Sequence, residues 1–97
     1  MLIDTHRLSG TTSSGTFSVT TKDINGLMRL VVAEPATALT QYDISITNAL
    51  SIKIYERTAE VGTLAEEVAL PLARSYTITI ENATNDEAFT LQLMVQV

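Results

Sequence analysis

The 97-residue chain has no cysteine, no tryptophan, one histidine and two prolines. Without cysteine it has neither disulfides nor thiolate metal sites. A lone imidazole, His6, cannot build a multi-histidine centre. Aromatic residues make up 5% of the chain and charged residues 18%, the latter below the usual quarter. No apolar run approaches the roughly 18 residues that span a bilayer as a helix. The start, Met1-Leu2-Ile3-Asp4-Thr5-His6, lacks the basic residue and apolar stretch of a signal peptide. With the missing cysteines, this leads to the expectation of synthesis in a cytoplasm and no membrane association.

Basic clusters are missing too. The net charge is −5, and the cations Arg7, Lys22, Arg29, Lys53, Arg57 and Arg74 are scattered. Nucleic-acid binding needs a basic patch to offset phosphate, so no nucleic acid is expected as a partner. A chain of this length buries only about 60–65% of the surface its unfolded form exposes. Domains this small usually add a disulfide, a metal or oligomerisation to the core. With thiols absent, assembly is the remaining option, and a homo-oligomer, including a closed ring, is the expected state. Fifteen threonines and seven serines offer the alternative of an uncharged, well-solvated coat.

What the sequence does contain is period-two alternation, the mark of half-buried strands. The N-terminal stretch through Ser9-Gly10-Thr11-Thr12-Ser13-Ser14 reads as a flexible arm over residues 1–14, followed by a single domain over 15–97. Phe17 and Val19 alternate with Ser18 and Thr20. Asn25-Gly26 reads as a turn, and Leu27–Val32 as a central strand apolar on both faces apart from Arg29. Pro35 ends it for want of an N–H. Tyr42, Ile44 and Ile46 alternate with Asp43, Ser45 and Thr47. A tight connection at Asn48-Ala49 leads to Ile52 and Ile54, and Gly62 marks the next break. Residues 63–70 suit either a single helical turn or an irregular edge strand, limited by Pro71. Tyr76, Ile78 and Ile80 form the next strand, and Phe89, Leu91, Leu93 and Val95 the last.

The expected core comprises these residues with Met28, Leu30 and Val32. Six to seven short strands at this spacing predict an all-β fold, a small antiparallel β-sandwich of jelly-roll type, with a small barrel as the alternative.

Catalytic equipment is lacking. Acyl transfer needs a nucleophile, a base and an orienting acid, and His6, the only base available, lies on the expected arm. Glu66 and Glu67 are adjacent, so on a strand they face opposite sides and cannot form a glycosidase pair. The four glycines are too dispersed for a phosphate-cradling loop. No cofactor, catalytic residue or metal ligand is therefore expected.

One loop is rich in oxygen donors: Glu81, Asn82, Asn85, Asp86 and Glu87 could in principle surround a hard cation. The same residues are what a hairpin loop favours through side chain to backbone bonds. The uncharged strand face Thr90, Gln92, Met94 and Gln96, with Leu2 and Ile3 of the arm, is the candidate interface.

Several segments carry a resemblance. They are Gly15-Thr16-Phe17, Ile24-Asn25-Gly26-Leu27, Gln41-Tyr42-Asp43-Ile44, Tyr55-Glu56-Arg57-Thr58, Leu70-Pro71-Leu72, Tyr76-Thr77-Ile78 and Ile80 through Phe89. In these the chain resembles short all-β proteins encoded among the structural genes of tailed bacteriophages, marine ones especially. The resemblance implies a virion component, such as a head-decoration, neck or fibre-associated protein, that works beside other virion proteins and has no catalytic residues. In outline the barrel alternative is similar to ring-forming Sm-like proteins, though the acidic balance opposes their RNA binding. A carbohydrate- or calcium-binding sandwich module that uses the 81–87 loop is the second functional reading.

Overall fold

A computed structural model describes residues 2–97. Eight strands are present: β1 (Ile3–Thr11), β2 (Phe17–Thr20), β3 (Ile24–Pro35), β4 (Gln41–Asn48), β5 (Lys53–Val61), β6 (Leu64–Arg74), β7 (Tyr76–Glu81) and β8 (Ala88–Gln96). They form two four-stranded antiparallel sheets, ordered β1-β8-β3-β6 and β2-β7-β4-β5. Successive strands cross repeatedly between the sheets, and this connectivity is the eight-stranded jelly roll. The sandwich expectation holds, and two separate sheets exclude the small barrel. Among the described residues no helix is long and apolar enough to cross a membrane.

The core lies between the sheets. Tyr42, Ile44, Ile46, Ile78, Ile80, Phe89, Leu91, Leu93 and Val95 are all buried, as their alternation predicts. Phe89 sits at its centre, packed edge-on against Tyr42 at 5.0 Å and tilted against Phe17 at 5.8 Å. The Tyr42 hydroxyl donates to the Gly62 carbonyl at 2.7 Å, anchoring the β5–β6 turn. Burial, with the charge of Glu60 second, pushes this hydroxyl up to about 12.

Several expectations need correction. Residues 3–11, assigned to a flexible arm, are an edge strand paired with β8 along its whole length; Met1 lies outside the described residues. Their alternation is faint because the positions opposite the inward residues of β8 are Asp4, His6, Leu8 and Gly10: Leu8 alone packs an apolar side chain on the core, and at Gly10 the Phe17 ring leaves no room for a Cβ. Asn25-Gly26 is not a turn but lies inside β3. Gly26 has φ +147°, and a Cβ there would stand 2.4 Å from the Gln96 carbonyl, so the position demands glycine because β8 passes so close.

The 63–70 segment resolves as edge strand, and β6 continues through Pro71. An edge strand tolerates that proline because one side of its backbone has no ladder to donate to. Ile52, expected in the core, is 56% exposed, and Tyr55 takes the inward position. Ile52 precedes β5, in the connection closed by the bond from the Asn48 amide to the Ile52 carbonyl at 2.9 Å, while Tyr55 stands opposite the buried Ile46.

The most consequential correction is in β3. Its pairing with β8 shifts by one residue between Met28 and Leu30, a β-bulge at Arg29. Before the bulge Met28 faces inward; after it Val31 and Ala33 do, buried at 1% and 0% exposure. Because side chains alternate with period two, one extra residue sends every later side chain to the other face. Leu30 and Val32, expected in the core, therefore lie on the outside.

Candidate assembly face

The two sheets present unlike outer surfaces. On the β2-β7-β4-β5 sheet the rows read Ser18–Thr79–Ser45–Glu56 and Thr20–Thr77–Thr47–Lys53. Hydroxyls bond one another across the strands, Ser18 to Thr79 at 2.9 Å and Thr20 to Thr77 at 3.1 Å. Asp43, Lys53, Glu56 and Glu81 add charge on the same surface. These groups satisfy themselves or water, and this face is the solvated coat that the threonine content allows.

The β1-β8-β3-β6 sheet differs. Its outer rows read Ile3–Gln96–Leu27–Pro71, Thr5–Met94–Leu30–Glu67 and Arg7–Gln92–Val32–Ala65. Leu27, Leu30, Val32 and Met94 are half-buried yet stand outside the core cluster. Ile3 is 46% exposed. Ala65, Ala69 and Pro71 keep the β6 margin low, and Arg7, Arg29, Glu34 and Glu67 add charge to the same surface. A shallow depression lined by Ile3, Arg29, Leu30, Glu67, Ala69 and Met94 runs across it.

The strand that reads as covered on both faces is thus central in its sheet, with one face in the core and the other open. Of the expected interface residues, Met94, Gln92, Gln96 and Thr90 lie in line on this surface and Ile3 borders it. Leu2, 71% exposed, extends it at one end, where its carbonyl accepts the Val97 amide at 3.1 Å. Leu27, Leu30 and Val32 belong to it as well, and the bulge that puts them there leaves no sequence signal.

The 81–87 loop does other work. The Asn82 amide donates to Asp43 at 2.7 Å, the Asn85 side-chain oxygen accepts the Ser14 amide at 2.7 Å, and Glu87 is buried and accepts the Thr37 amide at 2.7 Å. The side chains point to three different segments, so their oxygens do not converge. Thr12, not singled out in the sequence, is the hub: 1% exposed, its hydroxyl donates to the Thr84 carbonyl at 2.6 Å and accepts the Glu87 amide at 2.9 Å. Among the described residues no group of three or more His, Asp or Glu is placed to hold a metal ion.

Glu66 and Glu67 face opposite sides, as expected for neighbours on a strand. Glu66 turns inward at the open edge between β6 and β5, where its carboxylate takes Arg57 through both oxygens, at 2.7 and 3.1 Å. The guanidinium lies 5.0 Å from the Tyr55 ring centre. Arg57 holds the Glu66 carboxyl below its ordinary range, with the Tyr55 hydroxyl contributing second. This clip joins the two sheets where no backbone ladder does. The aromatic residues are spent inside: the three tyrosines and Phe89 are buried and Phe17 packs on the core, which leaves no flat ring on the surface for a sugar to stack on.

No protein-family model and no curated protein matches the sequence. Among solved structures the chain is similar to a family two carbohydrate esterase from Cellvibrio japonicus, at 14% identity and a TM-score of 0.44. The aligned region covers 97% of this chain and 34% of that one. At that similarity nothing is carried over from the esterase to this chain.

Proposed function

We propose that the chain is a non-enzymatic structural subunit that works by assembling with copies of itself through the outer face of its β1-β8-β3-β6 sheet. The observation that carries this reading is the contrast between the two sheets: one is coated in mutually bonded hydroxyls and charges, the other carries an apolar centre of Leu27, Leu30, Val32 and Met94 set among the charges Arg7, Arg29, Glu34 and Glu67. Extended apolar patches on a soluble domain mark interaction surfaces. The bulge at Arg29 strengthens the case, since bulges that re-aim side chains recur beside functional surfaces.

Jelly rolls of this connectivity build viral capsid and lectin domains. Together with the resemblance to structural proteins of tailed bacteriophages, this favours a virion component, a head-decoration, neck or fibre-associated protein. Among the described residues the lectin-like alternative finds no exposed aromatic platform and no convergent oxygen cluster to support it.

The test is absolute mass by light scattering on a sizing column for the wild type and Leu30→Glu, across protein concentration. A wild-type mass above the 10.5 kDa of one chain, reduced to one chain by Leu30→Glu, is the expected result. A wild type that is monomeric throughout would overturn the reading.

A further inference from the structure

We infer that β1 is the docking edge for an extended segment of a second protein, which adds to the β1-β8-β3-β6 sheet as a further strand. The inference does not draw on the outer face. A strand added at this edge widens the sheet and leaves that face open.

The backbone carries the argument. The Val97 amide donates to the Leu2 carbonyl at 3.1 Å and the Thr12 amide to the Glu87 carbonyl at 2.9 Å, one at each end of β1. Both bonds keep the register of the β1–β8 ladder, which runs unbroken from Ile3 opposite Gln96 to Thr11 opposite Ala88. Bonded pairs in an antiparallel ladder recur at every second residue. The even-numbered residues therefore turn their backbone to β8, and Ile3, Thr5, Arg7, Ser9 and Thr11 turn N–H and C=O away from it. All of these are exposed, and among the described residues no loop backbone bonds them.

Free edges are ordinarily blunted by proline, bulges, short strands or charge, and the other three margins are blunted. β2 has four residues. β5 breaks register with β4 twice and holds Ala59 at φ +55°. β6 contains Pro71, and the Arg57–Glu66 clip crosses its seam with β5. β1 has nine residues, no proline and no register shift.

The side chains of β1 set the chemistry of the partner. Arg7 stands in the outer row with no ion pair among the described residues, so the added strand carries a carboxylate beside it. Asp4, His6 and Leu8 stand in the inner row, which calls for an apolar side chain beside Leu8 and no acid beside Asp4. The β1 strand of a second copy fits less well. Full overlap about a two-fold sets Arg7 against Arg7, and like charges directly opposite destabilise a pair.

The probe is the peptide Thr-Thr-Val-Glu-Val-Thr-Thr, whose glutamate meets Arg7 and whose first valine meets Leu8 in antiparallel pairing. It is added at on the order of 1 mM, suited to a short strand held by main-chain bonds. Amide exchange read by NMR should slow about tenfold at Thr5, Arg7 and Ser9, and stay unchanged at His6 and Leu8, which already bond β8. Lysine in place of the peptide's glutamate should weaken binding. Thr5→Pro removes an N–H that β8 does not use, so the variant should fold and yet fail to bind. If it does not fold, the peptide N-methylated at its glutamate replaces that arm and should not bind the wild type. The proposal is overturned by no protection at these amides, by protection at β2, β5 or β6 instead, or by a lysine peptide that binds equally well. Binding that survives Thr5→Pro or N-methylation overturns it too. Protection of Thr5, Arg7 and Ser9 that needs no peptide and grows with protein concentration would give the edge to a second copy.

Discussion

Val31 and Val32 are neighbours in sequence and opposites in the fold, and truncating each to alanine measures the bulge. Val31 is 1% exposed within the core, whereas Val32 lies on the outer face. Losing buried methyl groups costs about 0.8 kcal/mol for each methylene equivalent. With the cavity left behind, Val31→Ala should cost about 2–3 kcal/mol. That is a large share of the roughly 5–15 kcal/mol that holds a domain together. At about 4–8 °C per kcal/mol for this size, Tm should fall by about 8–24 °C. Val32→Ala should stay within about 0.5 kcal/mol, and so within a few degrees. Both are read by far-UV circular dichroism at low concentration, because association would stabilise the folded state by mass action and blur the comparison. Equal losses, or a larger loss at Val32, would place β3 in the unbulged register and remove Leu30 and Val32 from the surface.

Three other perturbations probe separate parts of the molecule. Gly26→Ala forces a Cβ to 2.4 Å from the Gln96 carbonyl at φ +147° and should cost more than about 2 kcal/mol; a loss under about 1 kcal/mol by chemical denaturation would mean an open turn there after all. Thr12→Val keeps the shape of the side chain but strands the Glu87 amide and the Thr84 carbonyl, so about 2–3 kcal/mol should be lost, and an unchanged denaturation midpoint would deny the hub. Glu66→Gln tests the clip through pH. Because Arg57 lowers the Glu66 carboxyl in the folded state, its stabilisation is present above the unfolded carboxylate's range and is lost as pH falls through the lowered folded value. The stability gap between wild type and variant should therefore be open at neutral pH and close in acid, and a gap independent of pH would refute the clip.

How far the sequence reveals this fold depends on how each strand is flanked. β8 is legible because Phe89, Leu91, Leu93 and Val95 alternate without interruption against Thr90, Gln92 and Gln96, with Met94 the one apolar neighbour. β3 is not, since Leu27, Met28, Leu30, Val31 and Val32 are apolar on both faces and period two has nothing to discriminate. The bulge sits inside that run, and only pairing with β8 fixes it. β6 is obscured by Ala, Glu and Leu, whose helical preference the ladder with β3 overrides. The same limits apply to the candidate face. Its β8 row, Thr90 to Gln96, can be read from alternation, while its apolar centre depends on a register the sequence does not display.

The most direct test of the assembly face is methyl NMR on dilution, since it reports which side chains feel a partner. Resonances of Leu30, Val32 and Met94 should shift as protein concentration falls, while those of the core residues Leu91 and Ile78 and of the exposed end-loop residue Leu50 stay in place. Shifts confined to Leu50, Ile52 or Leu39, or no shift anywhere across the range, would contradict assembly through the β1-β8-β3-β6 face.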